Sequence, residues 1–94
     1  MSKVVLSGYI LVPDKDLPVV LQQLPAHIRA TRDEPGCLTF DVDQDADNAN
    51  KFVVYEEFVD AEAFESHQRR AKASSWGRVT GNVERRYQVT GYPK

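Results

Sequence analysis

"KFVVYEEFVDAEAFESHQRR", residues 51–70, passes from an apolar run into a charged one with no glycine or proline between them. Residues 51–59 are rich in β-branched and aromatic side chains, which predicts a strand. Successive side chains on a strand point to opposite faces. Phe52, Val54, Glu56 and Phe58 therefore oppose Val53, Tyr55, Glu57 and Val59. Each set is apolar except for one glutamate, and a strand that is apolar front and back is expected to be covered on both sides. One of the two glutamates must then be buried, and alternation alone does not say which. Asp60 can cap the helix that follows, with Glu62 in its favourable first turn. Ala61, Phe64, Gln68 and Ala71 share one side of that helix. His67 lies about 60° round from Phe64, on the flank of that side.

The flanking segments supply the remaining elements. "KVVLSGYILV" (3–12) reads as a strand stopped by Pro13. Val4, Leu6, Gly8 and Ile10 point one way and Val5, Ser7, Tyr9 and Leu11 the other, again with little polar character on either face. Asp16 can cap a helix that tolerates Pro18 in its first turn. Leu17, Val20, Leu21, Leu24 and Ile28 recur at helical spacing beyond it. Pro25 interrupts that pattern without ending it, so a kink near Leu24 is expected. "RDEPG" (32–36) is a turn. "CLTFDVDQD" (37–45) alternates Leu38, Phe40 and Val42 with Thr39, Asp41 and Asp43, a strand with one wet face. "ADNAN" (46–50) turns the chain back. After the second helix, "ASSWGRVTGN" (73–82) allows a short helical turn around Trp76. "VERRYQVTGY" (83–92) closes as a strand with Val83, Tyr87 and Val89 on one face and Arg85 and Arg86 on opposite faces. The order β-α-β-β-α-β, with both helices on one side of a four-stranded antiparallel sheet, is the ferredoxin-like α+β arrangement.

Two helices cover only one face of such a sheet. Strands one and three are apolar on the other face as well, so a second copy of the chain is the expected cover, and a homodimer of face-to-face sheets follows. The 94 residues fit a single domain, 1–94, with a thin core. A net charge of −2 leaves no basic excess to neutralise phosphates, which argues against nucleic acid as a partner. Arg69, Arg70 and Lys72 read as a solvated helix end. One cysteine makes no internal disulfide, so a reducing, cytoplasmic compartment is expected. Cys37 reads as an inert thiol. With one cysteine and two distant histidines, no closed metal site can be drawn. No apolar run approaches the roughly 18 residues of a membrane span, and no signal-peptide pattern opens the chain.

Three segments carry a resemblance. "YILVPD" (9–14), "EPGCLTFDV" (34–42) and "FVVYEEFVDAEAFESH" (52–67), in that order and spacing, resemble the antibiotic biosynthesis monooxygenase (ABM) domain of the dimeric α/β-barrel superfamily. The resemblance implies an ABM-like dimeric α/β barrel over 1–94, with a pocket in each subunit between sheet and helices. It also implies a cofactor-independent oxygenase acting on a quinol or phenol with molecular oxygen. Other members resemble an isomerase of a small sugar-derived metabolite. Glu56 matches the glutamate of the strand motif and His67 the histidine of the helix motif. Some oxygenases of the group carry an asparagine on the first strand and a tryptophan on a later one. Here the first strand offers Ser7 and Tyr9, strand three has no tryptophan, and Trp76 follows the second helix.

His67 is the candidate general base, because imidazole can accept a proton near neutral pH. Glu56 is the candidate partner that would fix its tautomer. Ser7, Tyr9, Phe40, Tyr55 and Trp76 are candidate substrate-binding residues for a small aromatic or carbonyl compound. The expected activity needs no cofactor. The alternatives are an isomerase of a small carbonyl metabolite and a non-catalytic ligand-binding homodimer in which His67 only pins helix to sheet. His27, beside Pro25 and outside any motif, is expected at the surface.

Overall fold

The computed structural model describes residues 3–92. Four strands, β1 (Val4–Leu11), β2 (Cys37–Gln44), β3 (Lys51–Phe58) and β4 (Glu84–Thr90), form one antiparallel sheet in the order β2-β3-β1-β4. Helices α1 (Leu17–Arg32), α2 (Ala61–Ala73) and the short α3 (Ser75–Val79) complete the chain, with a single 3-10 turn at Asp14–Asp16 ahead of α1. This is the ferredoxin-like α+β architecture expected from the order of elements.

The two long elements that matter for function start and run as their chemistry dictates. The Asp60 carboxylate accepts a hydrogen bond from the Ala63 amide at 2.8 Å, which satisfies an otherwise orphaned donor and sets the phase of α2. That phase buries Phe64 and His67. Helix α1 runs unbroken through Pro25, which lies on its exposed side where water can meet the freed carbonyl. Asp16 does not act as a side-chain cap; its carboxylate accepts from Asn82 instead, at 3.3 Å. Val20, Leu24, His27 and Thr31 form the buried stripe of α1.

The core lies between the helices and one face of the sheet. Val4, Leu6 and Ile10 of β1, Phe40 of β2, and Phe52, Val54 and Phe58 of β3 are all buried there. Phe52 and Phe58 are the largest fully buried side chains; each contributes about 2–3 kcal/mol by removal from water. The opposite face carries Val5, Ser7, Tyr9 and Leu11 of β1 and Val53, Tyr55 and Glu57 of β3, with Val53 44% and Tyr55 38% exposed. Polar residues of the outer strands flank this apolar patch, among them Asp41, Asp43, Arg86 and Gln88.

Two glycines permit close approaches. Gly8 has φ +149°, and a Cβ there would lie 2.0 Å from the Arg86 carbonyl oxygen, so β4 can pair this closely with β1 only at a glycine. At Gly36 a Cβ would lie 2.2 Å from the Ala63 Cβ. The turn at 34–36 thus rests directly on α2, which brings Glu34 within reach of that helix.

Candidate active site

His67 sits at the centre of the buried side of α2 rather than on its flank, with 3% of its surface exposed. Its ring stacks on Phe58 (centroids 5.0 Å apart, planes at 28°) and meets Phe40 edge-on at 5.6 Å. Its Nδ1 lies 2.8 Å from Oε1 of Glu34. Glu34 also accepts from Nε of Arg70, whose guanidinium donates to Oγ1 of Thr31 at 3.0 Å. A carboxylate held by an arginine only accepts hydrogen bonds, so this arrangement assigns the imidazole proton to Nδ1. The Nε2 lone pair is left free, 3.9 Å from Oε1 of Glu56. Burial lowers the His67 pKa from its ordinary value; Glu34 works against that shift and the Arg70 charge adds to it. The ring is therefore neutral at neutral pH and able to take a proton.

Glu56 is the buried member of the glutamate pair, 5% exposed. Burial, and then the nearby Glu34 carboxylate, push its pKa up to about 7. Its Oε1 has no hydrogen-bond partner among the described residues. Glu57, on the other face, is bonded to Thr39, Tyr55 and Lys3. The expected division of labour is thus corrected. Glu34, not Glu56, holds the tautomer of His67, because 3.9 Å is too long for a hydrogen bond. Arg70 belongs to this network and is not a merely solvated helix end.

His27 is buried, 7% exposed, contrary to its expected surface position. It falls on the Val20–Leu24–His27–Thr31 stripe of α1, so helical phase carries it inward. Its ring stacks on Trp76 at 4.5 Å with planes 8° apart and meets Phe40 edge-on at 5.5 Å. Burial, then the His67 and Arg70 charges, lower its pKa to about 3. Its Nδ1 has no partner among the described residues.

These groups line a cavity of about 610 Å³, a volume suited to a small aromatic molecule. His27, Glu56, His67 and Trp76 meet Arg85 and Tyr87 of β4 across it. The Arg85 guanidinium donates to the carbonyl and hydroxyl oxygens of Thr80 at 3.3 and 3.2 Å. Of the expected substrate-binding residues, Phe40 backs the two histidines and Trp76 lines the cavity. Ser7, Tyr9 and Tyr55 do not reach it. The register pairs Ser7 with Tyr55 and Tyr9 with Val53, on the face of the sheet away from the helices. Tyr9 there lies beneath the Lys51 ammonium at 4.6 Å. Glu34, His27, Arg85 and Tyr87 were not singled out by motif. The helical spacing of His27 and the shared face of Val83, Arg85, Tyr87 and Val89 were signals in the chain that pointed to three of them.

Cys37 is half-buried, and burial raises its thiol pKa, followed by the Glu34 and Glu56 charges, so the thiol form prevails. Among the described residues, no group of three or more His, Cys, Asp or Glu side chains is placed to hold a metal ion. No helix among them is long and apolar enough to cross a membrane.

Fold and site together define a ferredoxin-like α+β domain with an ionisable, aromatic-walled cavity between sheet and helices. The family profile described as antibiotic biosynthesis monooxygenase matches residues 4–78, and the chain belongs to that family. No curated protein sequence matches it. Among solved structures, it is similar to a conserved protein of Bacteroides thetaiotaomicron described as a "possible oxidoreductase", at 16% identity. The match covers 97% of this chain and 98% of that one, with a TM-score of 0.79. It is also similar to a candidate antibiotic biosynthesis monooxygenase of Nitrosomonas europaea, at 20% identity over 99% and 90% of the two chains, with a TM-score of 0.78. A conserved protein of Methanosarcina mazei matches at 18% identity over 100% and 94%, with a TM-score of 0.75. At these identities the likeness speaks for the fold alone.

Proposed function

We propose that the protein is a cofactor-independent monooxygenase of a small phenol or quinol, with His67 as general base. The observation that carries this reading is the free Nε2 of a buried, neutral His67, 3.9 Å from Glu56 at the wall of a cavity of about 610 Å³. A substrate hydroxyl oxygen can sit about 2.8 Å from both groups, donating to Nε2 and accepting from Glu56 when that carboxyl is protonated. As the proton moves to Nε2, Glu34 stabilises the imidazolium and Glu56 stabilises the phenolate. A ring carbon of the phenolate then bonds to molecular oxygen, and the substrate supplies the electrons. The His67 proton passes to the distal oxygen, giving a hydroperoxide. Loss of water breaks the O–O bond as the ring C–H proton leaves, and a second carbonyl remains. The sum is phenol plus oxygen giving quinone plus water, with no flavin or metal in the balance.

The apolar patch around Val5, Tyr9, Val53 and Tyr55 supports a homodimer in which a second copy covers this face and the two sheets close as a barrel. Oxygen uptake with menadiol tests the reaction. Wild type is expected to exceed the protein-free rate, and His67→Ala to lose about 10²–10⁴-fold of the catalysed rate. Wild-type uptake equal to background rules out the oxygenase for this substrate class.

One observation favours a second reading. Glu56, with its pKa raised to about 7, and His67 are two proton carriers facing one space, as an aldose–ketose type isomerase requires. Solvent deuterium entering the α-carbon of a small hydroxyketone, without oxygen uptake, marks that outcome.

A further inference from the structure

Two buried polar atoms lack a partner among the described residues, Nδ1 of His27 and Oε1 of Glu56, and both residues line the same cavity. An unpaired buried polar atom is unfavourable, and native cores keep few of them. At position 27 the surroundings are aromatic: Trp76 is stacked on one side and Phe40 meets the ring edge. A phenylalanine would satisfy that packing without an orphaned nitrogen. The Thr31 hydroxyl donates to the His27 backbone carbonyl at 2.8 Å and so gives the ring nitrogen no partner. Both residues line the cavity, so its wall carries polar groups that the described residues leave incompletely matched.

We propose that His27 forms a polar subsite in the cavity that binds an uncharged oxygen of the ligand, a hydroxyl or a carbonyl, distinct from the oxygen held at His67 and Glu56. This rests on the cavity being the substrate site but not on the reaction performed there. His27 is a binding and orienting residue, with Trp76 setting the plane of its ring. The subsite suits an uncharged oxygen because the buried His27 ring is neutral at neutral pH, and a neutral partner of this kind offers no counter-charge to an anion or a cation. The matched oxygen would leave the reacting hydroxyl at His67, whose ring centroid is 6.0 Å from that of His27.

The test compares anaerobic menadiol with 2-methylnaphthalene, the same ring skeleton without oxygens, by isothermal titration and by quenching of Trp76, the sole tryptophan. Wild type is expected to bind menadiol at least tenfold more tightly than the hydrocarbon. His27→Phe keeps the stack on Trp76 and is expected to weaken menadiol about tenfold while leaving the hydrocarbon unchanged, so the discrimination collapses. His27→Gln, which restores a polar atom, is expected to recover part of it. A His27→Phe variant that keeps the wild-type discrimination overturns the proposal, as does a wild type that shows none. If His27→Phe does not fold, nitrogen-15 shifts of the wild-type His27 ring decide. They are expected to move with menadiol and to stay with the hydrocarbon, and shifts that stay with both overturn the subsite. Discrimination without oxygen uptake upholds the subsite and removes the oxygenase; uptake with His27→Phe discrimination intact does the reverse.

Discussion

Strand β3 presents one glutamate to each face of the sheet. Glu56 faces the helices, is buried, has an oxygen without a partner and has its pKa raised to about 7. Glu57, one residue on, lies on the open face, bonded to Tyr55, Thr39 and Lys3, and these partners lower its pKa. The chemical group is identical and the neighbours in sequence are shared. What differs is water and partnership: desolvation favours the neutral acid on one face, and hydrogen bonds favour the anion on the other. The helix face is built around a cavity with unsatisfied polar atoms, which suits a ligand. The open face has its central-strand carboxylate, Glu57, fully partnered and leaves Val53 and Tyr55 exposed, which suits a second copy of the chain.

The contrast can be broken most severely on the open face. Replacing Val53 and Tyr55 together by lysine puts two charges into the proposed interface, while Asp43 and Asp41, directly opposite on β2, accommodate them in the single subunit. Sedimentation at micromolar concentration is expected to shift wholly from dimer to monomer. A wild type that already sediments as a monomer removes the interface.

On the cavity face the effect is a pH dependence of stability. The raised pKa of Glu56 contributes stability that is fully present below the unfolded value of 4.5 and is lost as pH rises through about 7. The loss is on the order of 3 kcal/mol between these limits. His27 acts in the opposite sense: its contribution is present above 6.5 and is lost as pH falls toward 3. Urea unfolding at pH 5 and pH 8 is therefore expected to show Glu56→Gln losing less stability on going to pH 8 than wild type. Glu57→Gln should follow the wild-type curve over that interval and depart from it only below about 4.5, because a lowered carboxylate pKa acts on that side. Parallel curves for wild type and Glu56→Gln would show that Glu56 is not held neutral by burial.

A smaller effect separates holding the base from being the base. Glu34→Gln removes the charge that keeps the His67 pKa from falling further. NMR titration is expected to place the His67 pKa lower than in wild type, and turnover should fall roughly tenfold with little change in KM. An unmoved His67 titration would show that Glu34 does not orient the ring.

Much of the fold was legible in local patterns. The Asp60 cap, the inward Phe64, the alternation of β1 and β3 and the turn around Trp76 all appear where residue spacing put them. Glu56 and His67 were legible only through their match to the strand and helix motifs of the resembled family, since alternation alone does not choose between Glu56 and Glu57. The partner of His67 was not, because Glu34 lies 33 residues away in a turn whose approach to α2 depends on the missing side chain of Gly36. Ser7, Tyr9 and Tyr55 were misassigned to the pocket for a related reason. Alternation sorts residues into two faces, and only the placement of the helices says which face holds the cavity. The burial of His27 was not legible because Pro25 beside it is expected to bend the helix, whereas the stripe Val20–Leu24–His27–Thr31 continues through it.

The amino-acid order by itself determined the succession of strands and helices and the two apolar faces of the sheet, because alternation and helical phase are properties of neighbouring residues. The tertiary structure alone decided that the Glu56 pKa is raised, that Glu34 holds the imidazole and that His27 is buried with an unpaired nitrogen. Burial and hydrogen-bond distance arise from segments that meet only when the chain is folded, and those two quantities set the state of every ionisable group in the cavity.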